Sequence, residues 1–150
     1  MSSRVLLDTN IILRLSDQHS HQHSVIQKAI QVLIGQGANI VLAPQVLVEF
    51  WAVATRPIKD NGFGWDPVIV HKAITGLRSR FHVLPETPGL FQRWLDLVVQ
   101  HKVCGKSIHD ARIAAIALEH KTERLLTFNV QDFARFSGLT ALSPAAVVDT

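Results

Sequence analysis

Cysteine and long hydrophobic runs are both scarce in this sequence, and each scarcity excludes a class of protein. Cys104 is the only cysteine among 150 residues, so an internal disulfide is excluded and a reducing compartment is expected. No apolar run approaches the roughly 20 residues that a membrane-spanning helix needs, and the first residues lack the apolar segment of a signal peptide. We therefore expect a soluble, cytoplasmic protein with no membrane partner.

Two motifs of common α/β enzymes are also missing after the first apolar segment, which ends at Leu7. A dinucleotide-binding domain needs a glycine-rich turn at this point, but the chain continues with Asp8-Thr9-Asn10. A haloacid-dehalogenase-type phosphatase needs a second aspartate two residues after the first, and Asn10 occupies that position. Both enzyme classes are therefore disfavoured.

The composition itself is that of a globular protein. Apolar residues make up 47% of the sequence and charged residues 18%. A chain of 150 residues is long enough for one domain with a sizeable core and too short for two ordinary domains. The net charge of +3 attracts polyanions only mildly, and an ordinary, slightly basic enzyme explains it equally well.

Short apolar segments that end in a turn or capping residue alternate with longer segments of helical periodicity. Strands are predicted over residues 4–8, 39–43 and 124–128, with weaker signals over 82–84 and 140–142. Helices are predicted over 25–35, 45–55, 66–81, 88–101 and 107–120, and residues 56–64 are predicted to be a loop. This alternation predicts a parallel sheet of four to five strands with helices on both faces.

Four carboxylates fall where predicted strands end or helices begin, namely Asp8, Glu49, Asp110 and Asp132. In a right-handed parallel arrangement, the carboxyl ends of strands and the amino ends of the following helices share one edge of the sheet. Carboxylates gathered there repel one another unless a cation or a proton intervenes, so a bound metal or coupled titration is expected. Oxygen ligands favour Mg²⁺ or Mn²⁺ over Zn²⁺.

Each carboxylate also has a simpler interpretation when it is taken alone. Asp8 is a favoured N-cap residue for a helix that begins near Thr9, and Asp110 would stabilise a helix N-terminus electrostatically. Asp132 could be an ordinary solvated acid. Glu49 is harder to explain in this way, because it stands among apolar residues, where a carboxylate without a partner is costly.

Four blocks of the sequence carry a family resemblance: Val5–Asn10, Pro44–Phe50, His109–Ala115 and Leu125–Phe133. In order and in content they resemble the signature blocks of the PIN-domain family, in particular those of the VapC-type toxin ribonucleases of type II toxin–antitoxin pairs. The resemblance spans nearly the whole chain. It implies one PIN-like nuclease domain over residues 1–150, a three-layer α/β/α sandwich, and metal-dependent endonucleolytic cleavage of RNA.

Matched by position, Asp8, Glu49 and Asp110 correspond to acidic residues of the family, and the fourth place falls on Asn129 or on Asp132. As a hypothesis, Asp8 and Asp110 hold one Mg²⁺ or Mn²⁺ ion, while Glu49 and Asp132 hold or orient its waters or a second ion. The polar residues expected to support this site are Thr9, Asn10, Thr127 and Asn129. The basic candidates for contacts with RNA phosphates are Arg14, Arg112, Arg56 and Lys59.

The resemblance further implies two protein partners, a small antitoxin and a second copy of the chain. Some large apolar residues could line such an interface, although plain burial is expected for most of them: Ile11, Leu13, Leu15, Trp51, Trp65 and Phe91. The alternative from another functional class is a PIN-like module that binds RNA or a protein without cutting. The surviving acidic residues favour the enzyme.

A run of alternating histidines, His19, His21 and His23, suggests a zinc site. Alternation brings three imidazoles to one side only in a strand, and the flanking residues predict a loop that enters a helix. Structural zinc is therefore disfavoured.

Overall fold

A five-stranded parallel sheet forms the centre of the computed structural model, which describes residues 3–150. The strands are β1 (Arg4–Leu7), β2 (Asn39–Leu42), β3 (His82–Val83), β4 (Arg124–Leu126) and β5 (Thr140–Leu142). The helices are α1 (Thr9–Leu15), α2 (His23–Gly35), α3 (Pro44–Thr55), α4 (Pro67–Arg80), α5 (Leu90–Gln100), α6 (Ile108–Glu119) and α7 (Pro144–Val148). Short 3₁₀ turns lie at Ile58–Asp60, Gly105–Ser107 and Val130–Phe133.

The strands lie in the order β3-β2-β1-β4-β5, and every neighbouring pair is parallel. β1 is therefore central, with Leu6 opposite Val41 of β2 and Leu125 of β4. Val5, Leu6 and Leu7 are fully buried. A strand with this uninterrupted apolar character is expected where helices cover both faces of a parallel sheet.

The direction in which the chain moves along the sheet changes after β3. The chain passes from β1 to β2 through α1 and α2, and from β2 to β3 through α3 and α4. It then returns through α5 and α6 to β4, on the other side of β1. Right-handed crossovers in opposite directions place their helices on opposite faces of the sheet. The three-layer α/β/α sandwich predicted from the sequence is confirmed.

The middle of helix α6 is buried, and all five residues from 113 to 117 are inaccessible to solvent or nearly so. A helical segment that is buried on all sides lies in the interior of a fold rather than on its surface. Asp110 lies in the first turn of α6, so it is positioned by a helix whose centre is packed into the core.

The predicted elements differ from the observed ones mainly at their ends. The strands predicted to end at residues 8 and 43 are one residue shorter, because Asp8 and Ala43 are the cap residues of α1 and α3. α5 begins at Leu90 rather than at Pro88, because Gly89 takes the cap position and Pro88 lies in the turn before it. The short helix α7 is not predicted from the sequence.

The exposure of the apolar helices, of Cys104 and of the large apolar side chains follows from the fold. Within the described residues, no helix is long and apolar enough to cross a membrane. Cys104 is exposed as a free thiol. Ile11, Leu13 and Leu15 are buried inside the chain itself, as plain burial predicts for them. Phe91 is 67% exposed and is not explained in this way.

Candidate active site

The predicted carboxylates meet at the carboxyl edge of the sheet, beside the junction of β1 and β4. The backbone N–H of Asp8 donates to the carbonyl of Leu126 at 3.0 Å, and the N–H of Thr127 donates to the carbonyl of Leu142 at 2.9 Å. β1 and β4 flank the point at which the strand order reverses, where open α/β sheets bind ligands. We refer to Asp8, Glu49, Asp110 and Asp132 together as the carboxylate cluster.

Asp8 is buried at the end of β1, with 6% of its surface exposed. Its Oδ1 accepts a hydrogen bond from the backbone N–H of Thr9 at 2.8 Å, which makes it the N-cap of α1. Its Oδ2 accepts a hydrogen bond from the hydroxyl of Thr127 at 2.7 Å. Burial raises the pKa of Asp8 above its ordinary value, the two hydrogen bonds oppose this, and the charges of Glu49 and Asp132 add to it. Asp8 is therefore a helix cap and a member of the cluster at once.

Glu49 lies in the second turn of α3, and both of its carboxylate oxygens accept hydrogen bonds. The side-chain amide of Gln45 donates to Oε1 at 2.7 Å, and the hydroxyl of Thr9 donates to Oε2 at 2.8 Å. The same Gln45 amide donates to the backbone carbonyl of His109 at 2.9 Å. These bonds connect α3 to α1 and to the first turn of α6, and they supply the partners that a carboxylate in apolar surroundings needs.

Asp110 also has a strongly perturbed carboxyl group. Burial raises its pKa to about 6, with further contributions from the negative charges of Asp8, Asp132 and Glu49, while the neighbouring His109 opposes the shift. The charges of three other carboxylates thus act on Asp110 across one sheet edge. Perturbed carboxyl groups that share a cleft are typical of functional sites.

The fourth position of the site involves two neighbouring residues with different contacts. Asp132 lies exposed in the 3₁₀ turn at Val130–Phe133, and its charge raises the pKa of both Asp8 and Asp110. Asn129 is also exposed, and its backbone N–H donates to the hydroxyl of Thr127 at 3.0 Å. Asp132 therefore has the electrostatic link to the cluster, whereas Asn129 supports the loop through its backbone.

The cluster suits a divalent cation in charge and in donor chemistry. Carboxylate oxygens are the ligands that Mg²⁺ and Mn²⁺ prefer, and a cation would relieve the mutual repulsion that adds to the effect of burial on the pKa values of Asp8 and Asp110. In the side-chain arrangement of residues 3–150, no group of three or more His, Cys, Asp or Glu residues is placed to hold a metal ion. A bound ion would therefore have to draw the carboxylates of the cluster closer together.

A comparison with known proteins identifies the family of this chain. The profile of the PIN domain matches residues 5–139. The chain belongs to the PIN domain family. A comparison with curated proteins gives no significant match.

Solved structures with the same fold are similar to this PIN domain over nearly its whole length. A chain of VapBC2 from Rickettsia felis, in a crystal structure bound to a DNA fragment from their promoter, has a TM-score of 0.68 and 19% identity over 93% of this chain and 98% of that one. VapBC-1 from nontypeable Haemophilus influenzae has a TM-score of 0.68 and 23% identity, over 95% of this chain and 98% of that one. VapC20 of Mycobacterium tuberculosis, described as a sarcin-ricin loop cleaving toxin, has a TM-score of 0.65 and 17% identity, over 91% of this chain and 98% of that one. At these identities the likeness shows the fold alone.

Arg112 is the basic candidate that the PIN domain brings into contact with the cluster's supporting residues. Its Nη1 donates to the side-chain oxygen of Gln45 at 2.8 Å. Its Nη2 forms an ion pair with Glu86 at 3.0 Å. Gln45 thus connects Arg112 to Glu49 by hydrogen bonds.

The other basic candidates lie in or against the loop that follows α3. The guanidinium of Arg14 lies over the ring of Phe63, 5.2 Å from its centroid. Arg56 donates to the carbonyl of Asn61 at 3.3 Å, and Lys59 is exposed in the 3₁₀ turn of the same loop. These three residues are grouped with one another rather than with the carboxylate cluster.

The supporting polar residues tie the ends of β1 and β4 together. Thr127 is fully buried and donates to Asp8, and Thr9 donates to Glu49. The side-chain oxygen of Asn10 accepts a hydrogen bond from the backbone N–H of Phe128 at 3.4 Å. Three of the predicted polar residues therefore make side-chain contacts that hold the site in shape.

Gln45 and Glu86 also make central contacts at the site, although the sequence does not predict them as site residues. Gln45 is 8% exposed and bonds Glu49, Arg112 and the carbonyl of His109. Its position four residues before Glu49 in an apolar helix was the available signal, because residues four apart share one helix face. Glu86 gave no such signal, because it meets Arg112 only through the fold.

Proposed function

We propose that this PIN domain is a metal-dependent endoribonuclease and the toxin of a type II toxin–antitoxin pair. One observation carries the proposal: four carboxylates share the edge of the sheet where the strand order reverses, and burial, together with the charges of the other three, raises the pKa of Asp110 to about 6. A cluster of this kind is costly to the fold unless a cation occupies it. Membership of the PIN domain family supports the same activity.

We assign different roles to the four carboxylates. Asp8 and Asp110 would hold the Mg²⁺ or Mn²⁺ ion, and Glu49 and Asp132 would hold or orient its waters or a second ion. When bound, the ion supplies an activated water nucleophile and neutralises the charge that develops on the phosphate. Thr127 fixes the carboxylate of Asp8 through its hydroxyl.

RNA is the proposed substrate, in part because one basic residue lies next to the cluster and three more lie in a separate group. Arg112 contacts Gln45 next to Glu49, and a guanidinium of this kind can neutralise a phosphate of the strand. Arg14 lines a separate open region, and the exposed Arg56 and Lys59 lie in the loop beside it, where the strand could continue. Among the similar structures, VapC20 is described as a sarcin-ricin loop cleaving toxin.

A small antitoxin and a second copy of the chain are the proposed protein partners, and the cytoplasm is the proposed location. Several similar structures are described as VapBC or toxin–antitoxin complexes. On α3, Val48 is 70% exposed and Trp51 is 38% exposed, and both line an apolar cleft of about 460 Å³ with Leu47 and Ile74. Exposed apolar patches of this kind are typical of protein interfaces. Light scattering on the purified chain, alone and with its proposed antitoxin, measures both assemblies.

Cleavage of RNA by the purified protein tests the enzymatic proposal. The chain is incubated with total RNA in Mg²⁺ or Mn²⁺, and with EDTA. Cleavage is expected to need the metal and to fall at least about 100-fold in Asp8→Asn and Asp110→Asn, because loss of a direct ligand should exceed the effect of losing a supporting residue. Asp149→Asn, at an exposed position near the end of the chain, is the matched control. Unchanged cleavage in Asp8→Asn together with resistance to EDTA would contradict the metal site.

The second candidate function is a PIN-like module that binds RNA or protein without cutting it. It is favoured by the absence, within residues 3–150, of a preformed arrangement of three metal-binding side chains. The same assay separates the two functions. A module without activity would retain RNA on a filter in EDTA and in Mg²⁺ alike, and would produce no new RNA ends in either.

A further inference from the structure

A cleft of about 410 Å³ opens beside the carboxylate cluster, between the segment after β3 and the first turns of α5 and α6. We call it the α5–α6 cleft. Phe91, Trp94 and Leu90 form its apolar part, and Arg112 and Glu86 form its polar part. Phe91 is 67% exposed although it stands next to Trp94, with the ring centroids 5.6 Å apart and the planes at 45°. Trp94 is partly buried against the core, but burial in the core does not explain Phe91.

The walls of the cleft are held in place by hydrogen bonds. The indole N–H of Trp94 donates to the carbonyl of Ile108 at 2.9 Å, which fixes the ring against the start of α6. On the opposite wall, the hydroxyl of Thr87 donates to Glu119 at 2.6 Å. A site whose side chains are already fixed loses little conformational entropy when a ligand binds.

The cleft is connected to the cluster through a chain of direct contacts. Arg112 pairs with Glu86 on the cleft side at 3.0 Å and donates to Gln45 on the other side at 2.8 Å. Gln45 then donates to Glu49 at 2.7 Å. A strand of RNA with a phosphate at the carboxylate cluster would therefore bring a neighbouring base to the cleft.

The chemistry of the lining selects the kind of base. Aromatic side chains stack with unpaired bases, and single-stranded RNA is read in this way together with hydrogen bonds to the base edges. A guanidinium N–H matches the O6 acceptor of guanine. A neighbouring carboxylate matches the N1–H and N2–H donors, which lie next to O6 on the same edge of the base. Pyrimidines offer less area for stacking. Glu86 and Arg112 present these two groups side by side.

We propose that the α5–α6 cleft binds an unpaired guanine of the RNA substrate, next to the phosphate that is cleaved. The inference rests on the proposed function, because RNA is its ligand. It adds a base-binding site formed by Phe91, Trp94, Arg112 and Glu86. The cleft would thus select where the chain cuts, while the carboxylate cluster performs the cut.

Binding of mononucleotides tests the cleft without any need for cleavage. The protein carries Asp8→Asn, to prevent turnover, and Trp51→Phe with Trp65→Phe, so that Trp94 is the remaining tryptophan. It is titrated with GMP, AMP, CMP and UMP while the fluorescence of Trp94 is recorded. GMP is expected to quench it, with a Kd at least about tenfold lower than that of UMP.

Variants in the cleft make the test specific. Phe91→Ala is expected to weaken GMP binding about tenfold or more, because the stacking surface is lost. Glu86→Gln is expected to reduce the preference for GMP over AMP. Val99→Ala, at a position on the same helix that is 69% exposed, is the matched control and is expected to change neither. Equal affinity for the four nucleotides, absence of quenching at millimolar concentration, or unchanged binding in Phe91→Ala would overturn the proposal.

A separate readout distinguishes failure of the cleft from failure of the nuclease. The sites cut by the unmodified chain and by Phe91→Ala are mapped by sequencing RNA ends. Loss of a guanine preference beside the cut in Phe91→Ala supports the cleft. Unchanged cut sites would overturn the proposal that the cleft binds a base and would leave the proposed nuclease activity intact. Conversion of a dimer into a monomer by Phe91→Ala would have the same consequence, because Phe91 would then lie in an interface between two copies of the chain. If the unmodified chain does not cut RNA at all, the proposed function fails whatever the binding data show.

Discussion

The hydroxyl of Thr127 donates a 2.7 Å hydrogen bond to Oδ2 of Asp8 and so joins the end of β4 to the end of β1. The two residues are 119 positions apart in the sequence and are both buried. The bond stabilises the charged form of Asp8 and lowers its pKa against the opposing effect of burial. It also fixes the orientation in which Asp8 faces the rest of the carboxylate cluster.

Thr127→Val removes this hydroxyl and keeps the shape of the side chain. The pKa of Asp8 should then rise further, so that fewer molecules carry the ionised carboxylate that a metal requires. We expect cleavage at pH 7 to fall about tenfold or more, since a hydrogen bond to a charged group contributes about 1.5–3 kcal/mol. Thr127→Ser restores the hydroxyl and should keep most of the activity. Equal activity of the valine and serine variants would show that the bond is unimportant.

The pH dependence of stability follows from Asp110. Its pKa is raised from 3.8 to about 6 in the folded chain, so between about pH 4 and pH 6 the folded state holds a proton that the unfolded chain has lost. The metal-free protein should therefore lose stability as the pH rises through this range. Thermal unfolding in EDTA at several pH values measures the slope. A melting temperature that rises between pH 4 and pH 6 in a way that Asp110→Asn abolishes would contradict the sign of this effect.

Replacing Asp110 should also separate stability from activity. At pH 7 without metal, Asp110→Asn removes one of the repelling charges, and we expect the melting temperature to rise by roughly 2–4 °C for each kcal/mol of relief. Cleavage of RNA by the same variant should fall at least about 100-fold. Calorimetry of Asp110→Asn and of the exposed control Asp149→Asn in the same buffer checks this. A lower melting temperature for Asp110→Asn would mean that the cluster is not repulsive.

Much of this arrangement could be predicted from the sequence, for reasons that individual residues make clear. The run before Asp8 marks a buried parallel strand, and Asp66 with Pro67 marks the start of α4, as the hydrogen bond from the N–H of Val68 to Asp66 confirms. Such signals are local, because they depend on neighbours within one turn or one strand. The helix α7 carries the same kind of signal in Ser143, and it is missed because the segment has only five residues.

Contacts between distant segments could not be predicted in the same way. Glu86 pairs with Arg112 because β3 and α6 reach the same edge of the sheet. No local sequence pattern around either residue predicts this ion pair. Arg14 is close to Asp8 in sequence and was expected near the site, but α1 carries it to the ring of Phe63. Nearness along a helix does not ensure a shared site when the two residues lie at its opposite ends.

Gln45 is expected to act as a positioning residue for the cluster. Gln45→Leu keeps the volume but removes the bonds to Glu49, Arg112 and the carbonyl of His109. Loss of such supporting bonds typically costs about 10–100-fold in metal affinity or activity. The Mg²⁺ concentration needed for half-maximal cleavage should rise, which simple destabilisation would not cause. Gln27→Leu, at an exposed position of α2, is the control, and an unchanged Mg²⁺ requirement in Gln45→Leu would refute the role.

The fourth position of the site can be assigned by comparing two neighbours. Because the charge of Asp132 acts on Asp8 and Asp110, Asp132→Asn should weaken metal-dependent cleavage at least about tenfold. Asn129→Ala should have a smaller effect, since the backbone of Asn129 supplies the contact with Thr127. Initial cleavage rates over a range of Mg²⁺ concentrations compare the two variants. A larger loss in Asn129→Ala would assign the place to Asn129 instead.

The number of Mn²⁺ ions that the protein binds is the most direct test of whether the carboxylate cluster is a metal centre. Free Mn²⁺ gives a sharp electron paramagnetic resonance signal that is lost when the ion binds to protein, so the bound fraction can be counted without any assay of cleavage. The unmodified chain is predicted to bind one or two Mn²⁺ ions, Asp149→Asn to bind the same number, and Asp8→Asn to lose at least one. Equal binding by Asp8→Asn and the unmodified chain, or no binding by either, would contradict the metal centre.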